Sequence, residues 1–174
     1  YCKLYHFFTE KPDEYYYFKV PHPSGLLFKD LLRANFINPL SMVLRKKFLD
    51  AYGAFEPSFR RVDEQYLWLK LAYNGLKFSY IDEPLGLYRV HGKSLSNENV
   101  YFKETEETLL KLVDIMRGWM TPKEAGDYGL DEMEKRTKKR IFIGKLMAGR
   151  NPFAKLLFAL YNWKRKSRFD KVVK

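Results

Sequence analysis

The chain has 174 residues, of which 46% are apolar and 30% charged; this balance excludes a wholly disordered protein and suits one domain, or one domain with an appendage. One cysteine, Cys2, excludes an internal disulfide framework and a cysteine-based zinc site, and no apolar run reaches the roughly 18 residues that a spanning helix needs. The formal charge of +11 admits a nucleic acid, an anionic membrane or a phosphorylated substrate, but it is uneven: residues 1–134 net −2, and residues 135–174, with 14 basic side chains and the lone acid Asp170, net +13.

Tyr1 to Phe8 alternates aromatic and polar side chains and predicts a strand. It shows neither an initiator methionine nor a leader pattern, so the chain reads as part of a longer protein. Lys11-Pro12-Asp13-Glu14 is a turn signal, and Tyr15 to Val20 a second strand completing a hairpin. Leu26 to Asn35 has helical spacing at Leu27, Leu31 and Leu32, with Ser24 as its expected cap. Leu40 to Leu44 reads as a short buried strand after the Asn38-Pro39 break, and Arg45 to Tyr52 as a helix stopped by Gly53.

Asp63 to Asn74 is a strong helical segment with Gly75 just past its end. Two strands are expected next, over 77–81 and 85–90. Asn99 to Met120 is a long amphipathic helix with Leu109, Leu112, Val113 and Met116 on one face. Breakers fill 118–129, Leu130 to Met147 is helical and increasingly basic, and Pro152 opens a last helix through about Lys166.

Chemistry concentrates between Asn35 and Ser96. Asp63-Glu64 opens a helix, where the dipole favours carboxylates by about 0.3–1 kcal/mol. That is a sufficient structural reason for the pair; the functional one is a general base facing a cleft. Tyr88-Arg89-Val90-His91 is either a surface strand end or an anion clamp, since Arg forks onto phosphate oxygens and His donates to phosphate or ligates a metal.

In order, Asn35-x-Ile37, a hydrophobic run ending at Arg45, Gly53-x-Phe55, Asp63-Glu64-x-x-x-Trp68-Leu69-Lys70, Asn74-Gly75, Tyr80-Ile81-Asp82-Glu83-Pro84-Leu85 and Tyr88-Arg89-x-His91-x-x-Ser94-x-Ser96 resemble the carboxyl half of a family 2 glycosyltransferase domain, the inverting enzymes of GT-A fold. The resemblance spans roughly residues 1–100. It implies an α/β class: the carboxyl half of a GT-A-like, nucleotide-diphospho-sugar transferase domain with mixed short strands and helices, followed by a mainly helical basic tail. The corresponding division is 1–100 for the acceptor-side half, 101–134 for a helical extension and 135–174 for the basic amphipathic tail.

The implied reaction is inverting transfer from a nucleotide-sugar donor to the hydroxyl of a glycan or lipid-linked acceptor, in polysaccharide or glycan assembly. The family order at the helix start is Glu then Asp; here it is Asp63 then Glu64, and alignment on Trp68 puts Glu64 in the base column. Both acids are named, with Glu64 preferred. Trp68 reads first as packing its helix on the core, although its neighbourhood borders the acceptor site in the family; with it, Arg89, His91 and Ser94 match substrate-binding positions, and His91 a metal position for Mg or Mn. The family's Asp-x-Asp motif is absent from the sequence. The chain is therefore expected to be a fragment that holds acceptor and base, holds no metal by itself and is inactive alone.

Lys138, Lys139, Arg140, Lys164, Arg165 and Lys166 flank apolar residues of the tail, a pattern suited to an anionic membrane surface or to packing on its own domain. The membrane reading places the protein in the cytoplasm, at the inner face of the membrane. Nucleic acid is disfavoured, because the tail aromatics form an apolar face rather than a stacking platform. A non-catalytic interaction module is the other alternative.

Overall fold

Aromatic side chains are frequent at the start of the chain, and they lie in a small mixed sheet. The computed structural model describes residues 1–16, 22–59, 61–91 and 99–148. Strand β1 (Cys2–Phe8) lies between β2 (Lys11–Tyr16), its antiparallel hairpin partner, and β3 (Ile81–Val90), which runs parallel to it. The hairpin turns at Thr9-Glu10, two residues before the expected turn, and Lys11 already belongs to β2.

A parallel pair needs a long crossover. Here it carries α1 (Phe28–Arg33), a 3-10 turn (Pro39–Ser41), α2 (Lys46–Tyr52) and α3 (Asp63–Tyr73). After β3 come α4 (Asn99–Arg117), α5 (Pro122–Tyr128) and α6 (Leu130–Ala148). The class is thus α/β, with a three-stranded mixed sheet and six α-helices among the described residues.

Several expectations are corrected. Leu40 to Leu44 is no buried strand: Asn38 Oδ1 accepts from the Leu40 amide at 2.9 Å, Pro39 fits the first turn, and Leu40 and Val43 stand exposed. Ser24 does not cap α1; its hydroxyl accepts from the Tyr80 amide at 2.8 Å. The two expected strands after Gly75 are one, Ile81–Val90, which tolerates Pro84 because β3 is last in the strand order. Of the 77–81 strand only a bridge between Phe78 and Gly25 remains before β3. The stretch 118–129 holds a helix, α5, begun by a capping box in which Thr121 and Glu124 satisfy each other's amides. The helix expected from Pro152 lies outside the described residues.

Helix α3 is buried almost all round, with Gln65 to Leu69, Leu71 and Ala72 inside. Its apolar side chains join Leu27, Leu31 and Leu32, then Leu109, Leu112, Val113 and Met116 of α4, and Leu130 and Met133 of α6, in one buried cluster. The core therefore runs across residue 100 without a break. Gly86 lets β3 approach β1 closely: a Cβ there would lie 2.7 Å from Leu4 Cδ2.

Candidate functional site

Asp63 and Glu64 occupy the first turn of α3, where unpaired amides attract negative charge. The residue before them, Val62, takes a left-handed conformation (φ 61°) and has no side-chain cap to offer. A β-branched residue is strained in that region, so the chain enters α3 through a stressed joint.

Glu64 is pushed up to about 7, chiefly by burial and then by Asp63, which takes a hydrogen bond from the protonated form and repels the charged one. Backbone hydrogen bonding and Asn35 act in the opposite direction. Asn35 Nδ2 donates to Glu64 Oε1 at 3.3 Å. A carboxyl that exchanges its proton near neutrality, held by an amide, is suited to general acid–base work.

Two clefts meet at this carboxyl, and Asn35 and Glu64 line both. The first, of about 470 Å³, opens between β1 and the segment after α1, and includes Lys3, His6, His22 and Asn38. His22 stacks on Phe36 with ring centroids 5.3 Å apart, and burial holds its pKa below the ordinary value. Lys3 is anchored to Asp82 at 2.6 Å. The second cleft, of about 390 Å³, lies between α3, α4 and α6 and includes Gln65, Thr105, Glu106, Arg136 and Arg140.

Of the residues singled out from sequence, Asp63 and Glu64 are adjacent at the site. Trp68 lines neither cleft: it is 3% exposed, and its Nε1 donates to the Ile37 carbonyl at 3.2 Å, the core packing first expected of it. It shapes the first cleft indirectly, because Ile37 is part of the wall. Arg89 stands exposed on β3, paired in register with Phe7, and His91 follows the end of that strand. Neither lines the clefts that Glu64 joins. Ser94 lies outside the described residues, as do Lys164, Arg165 and Lys166.

Helix α6, which carries the described part of the tail, packs into the fold. Leu130, Met133 and Thr137 of α6 are buried. Arg140 Nε sits 2.9 Å from Glu106 Oε1, and Lys138 pairs with Glu134. Lys139 remains exposed. No described helix is long and apolar enough to cross a membrane. Among the described residues no group of three or more His, Cys, Asp or Glu side chains is placed to hold a metal ion.

Sequence reasoning missed Lys3, His6, His22, Asn38, Gln65 and Thr105 as cleft residues. Asn35 was visible only as part of the Asn-x-Ile pattern; its hydrogen bond to Glu64 gives that position a physical reason. Compared with known proteins, the sequence matches no family model, no curated protein and no solved structure.

Proposed function

We propose that this chain is the acceptor-side part of an inverting, family 2 type glycosyltransferase of GT-A-like fold. Glu64 is the general base that takes the proton from the acceptor hydroxyl as that oxygen attacks the anomeric carbon of a nucleotide-activated sugar. The bond to the donor diphosphate breaks in the same displacement, and the diphosphate leaves with the bonding pair. The observation that carries the reading is Glu64 itself: a carboxyl pushed up to about 7, hydrogen-bonded by Asn35, at the junction of two clefts.

On this reading Asp63 acts on Glu64 rather than as a second base. Its charge and hydrogen bond raise the proton affinity of Glu64, which brings the base closer to the pH at which it must work. The leaving diphosphate calls for a metal or basic clamp; Arg89 and His91 stay candidates for the clamp on the strength of the resemblance, and a divalent metal would supply charge neutralisation when bound. The exposed part of the basic tail suits a peripheral position on an anionic membrane surface, where a lipid-linked acceptor would lie.

The test is transfer from UDP-, GDP- and dTDP-activated sugars by the full gene product encoding this sequence. Glu64→Gln should lower the rate by about 10²–10⁴-fold, the usual worth of a positioned base. Asp63→Asn should lower it less and move the pH–rate midpoint down. An unchanged rate in Glu64→Gln overturns the assignment.

A further inference from the structure

The second cleft contains a buried hydroxyl without a partner and, open to the same space, a carboxamide that makes no hydrogen bond among the described residues. Gln65 is 7% exposed, its side chain lines the cleft, and its carboxamide makes no hydrogen bond among the described residues. Across from it on α4, Thr105 Oγ1 is buried and has no hydrogen-bond partner. Buried amides and hydroxyls are almost always paired, because leaving them unmade is costly. One such hydroxyl, with the Gln65 carboxamide open to the same cleft and the Glu64 carboxyl beside it, marks a place where something else supplies the partner.

The charges around them say what kind of ligand that is. Arg136 spends its guanidinium on the carbonyls of Leu32, Arg33 and Glu132. Arg140 is committed to the buried Glu106. The arginines that line the cleft from α6 are thus already compensated. An anionic ligand would have to break those contacts, whereas a neutral ligand needs only the groups left over: a donor and an acceptor on Gln65, a hydroxyl on Thr105 and the carboxyl of Glu64.

We infer that the cleft between α3, α4 and α6 binds a neutral, hydroxyl-rich sugar, with Gln65 and Thr105 as its recognition pair and Glu64 at its inner end. The identification of that sugar as an acceptor rests on the proposed function; its binding does not. Polar groups built to meet a hydroxyl reject a ligand lacking it by large factors, so the same pair also discriminates among sugars.

The experiment is an NMR titration of the full chain with the methyl glycosides of glucose, galactose, mannose and N-acetylglucosamine, each beside its 6-phosphate, reading the side-chain amide of Gln65 and the methyl of Thr105. At least one neutral glycoside should shift both signals saturably in the millimolar range. Gln65→Leu and Thr105→Val should each weaken that binding by about tenfold. Thr105→Val keeps the shape of the side chain, so it tests recognition even where Gln65→Leu disturbs the core. Absence of any shift across the panel overturns the inference, as does tighter binding of the phosphorylated sugars. Binding without transfer activity would leave the inference standing and remove the enzyme reading; transfer with no effect of Gln65 or Thr105 on acceptor KM would do the reverse.

Discussion

The guanidinium of Arg136 reaches across 103 positions of chain to donate from Nη1 to the Arg33 carbonyl at 3.0 Å. Its Nη2 donates to the Leu32 carbonyl at 2.8 Å. These are last-turn carbonyls of α1, which have no helical partners of their own. Two residues later comes Asn35, whose amide holds Glu64. Helix α6 thereby braces the segment that presents the hydrogen bond to the proposed base.

Arg136→Ala should cost about 0.5–1.5 kcal/mol, the worth of hydrogen bonds to carbonyls that are at most partly buried. It should also raise the titration midpoint of Glu64, because a loosened Asn35 no longer favours the charged carboxylate. Arg136→Lys should recover part of both effects. Chemical denaturation reads the first and a carboxyl-carbon NMR titration the second. Lost stability with an unmoved Glu64 midpoint would show that the brace and the carboxyl are not linked.

Glu64 also sets a pH dependence of stability. Its folded pKa, about 7, lies above the ordinary 4.5, so between these values the folded state binds more protons than the unfolded. The contribution is present below about pH 4.5 and lost as the pH rises through about 7, for a total of about 1–3 kcal/mol after allowance for partial solvent screening. Glu64→Gln should flatten this slope. Melting curves at successive pH values check it; an identical slope in both proteins would mean that Glu64 titrates alike folded and unfolded.

Trp68→Phe removes an indole donor and leaves the Ile37 carbonyl unmet in the core. The expected loss is about 1–3 kcal/mol of stability. If the cleft wall holds, saccharide affinity in the second cleft stays unchanged, since Trp68 does not line it. A selective loss of sugar binding at full stability would return Trp68 to the role of a direct contact.

Gly53→Ala tests a backbone requirement. Gly53 ends α2 with φ 85° and ψ 168°, a region that side chains avoid, and a Cβ there would come within 3.1 Å of Lys70 Nζ. A cost of about 1–3 kcal/mol follows from the conformation. The lysine tip can swing aside, so the strain rather than the contact should dominate. Wild-type stability in this variant would argue for a relaxed turn in solution.

Tail charges should divide into two kinds. Charge reversal at Lys139, Lys164, Arg165 and Lys166 should weaken binding to anionic vesicles by about 1 kcal/mol per residue, with folding intact. Arg140→Ala should instead destabilise the fold, because it strands Glu106, which is 5% exposed. Flotation with and without anionic lipid, at low and high salt, reads the first effect; no salt-sensitive binding would end the membrane proposal.

Elements driven by local chemistry were legible in the sequence. The Leu109, Leu112, Val113, Met116 face of α4 is buried as its spacing implied, and Gly75, with φ 78°, lies just past the end of α3 as its position implied. What escaped was decided at longer range or by overlooked caps. Ser24 has the chemistry of a cap, yet Tyr80, 56 positions away, claims its hydroxyl. Thr121 and Glu124 have capping-box spacing, but the flanking glycines masked it. At the site, the acid pair was visible because both residues are neighbours in sequence. Asn35, Gln65 and Thr105 come together only when α1, α3 and α4 pack, and no spacing along one chain encodes that.

The near-complete burial of α3 has a consequence for the order in which the molecule comes apart. Leu67, Leu69 and Leu71 have no exposed surface, whereas the hairpin strand β2 is exposed along its described side chains. Amide protons of α3 should therefore exchange only in global unfolding, and those of β2 through local opening. Asp63 and Glu64 are attached to the slowest-opening segment of the chain, so fraying of the hairpin leaves the acid pair in place, and its loss coincides with collapse of the whole core.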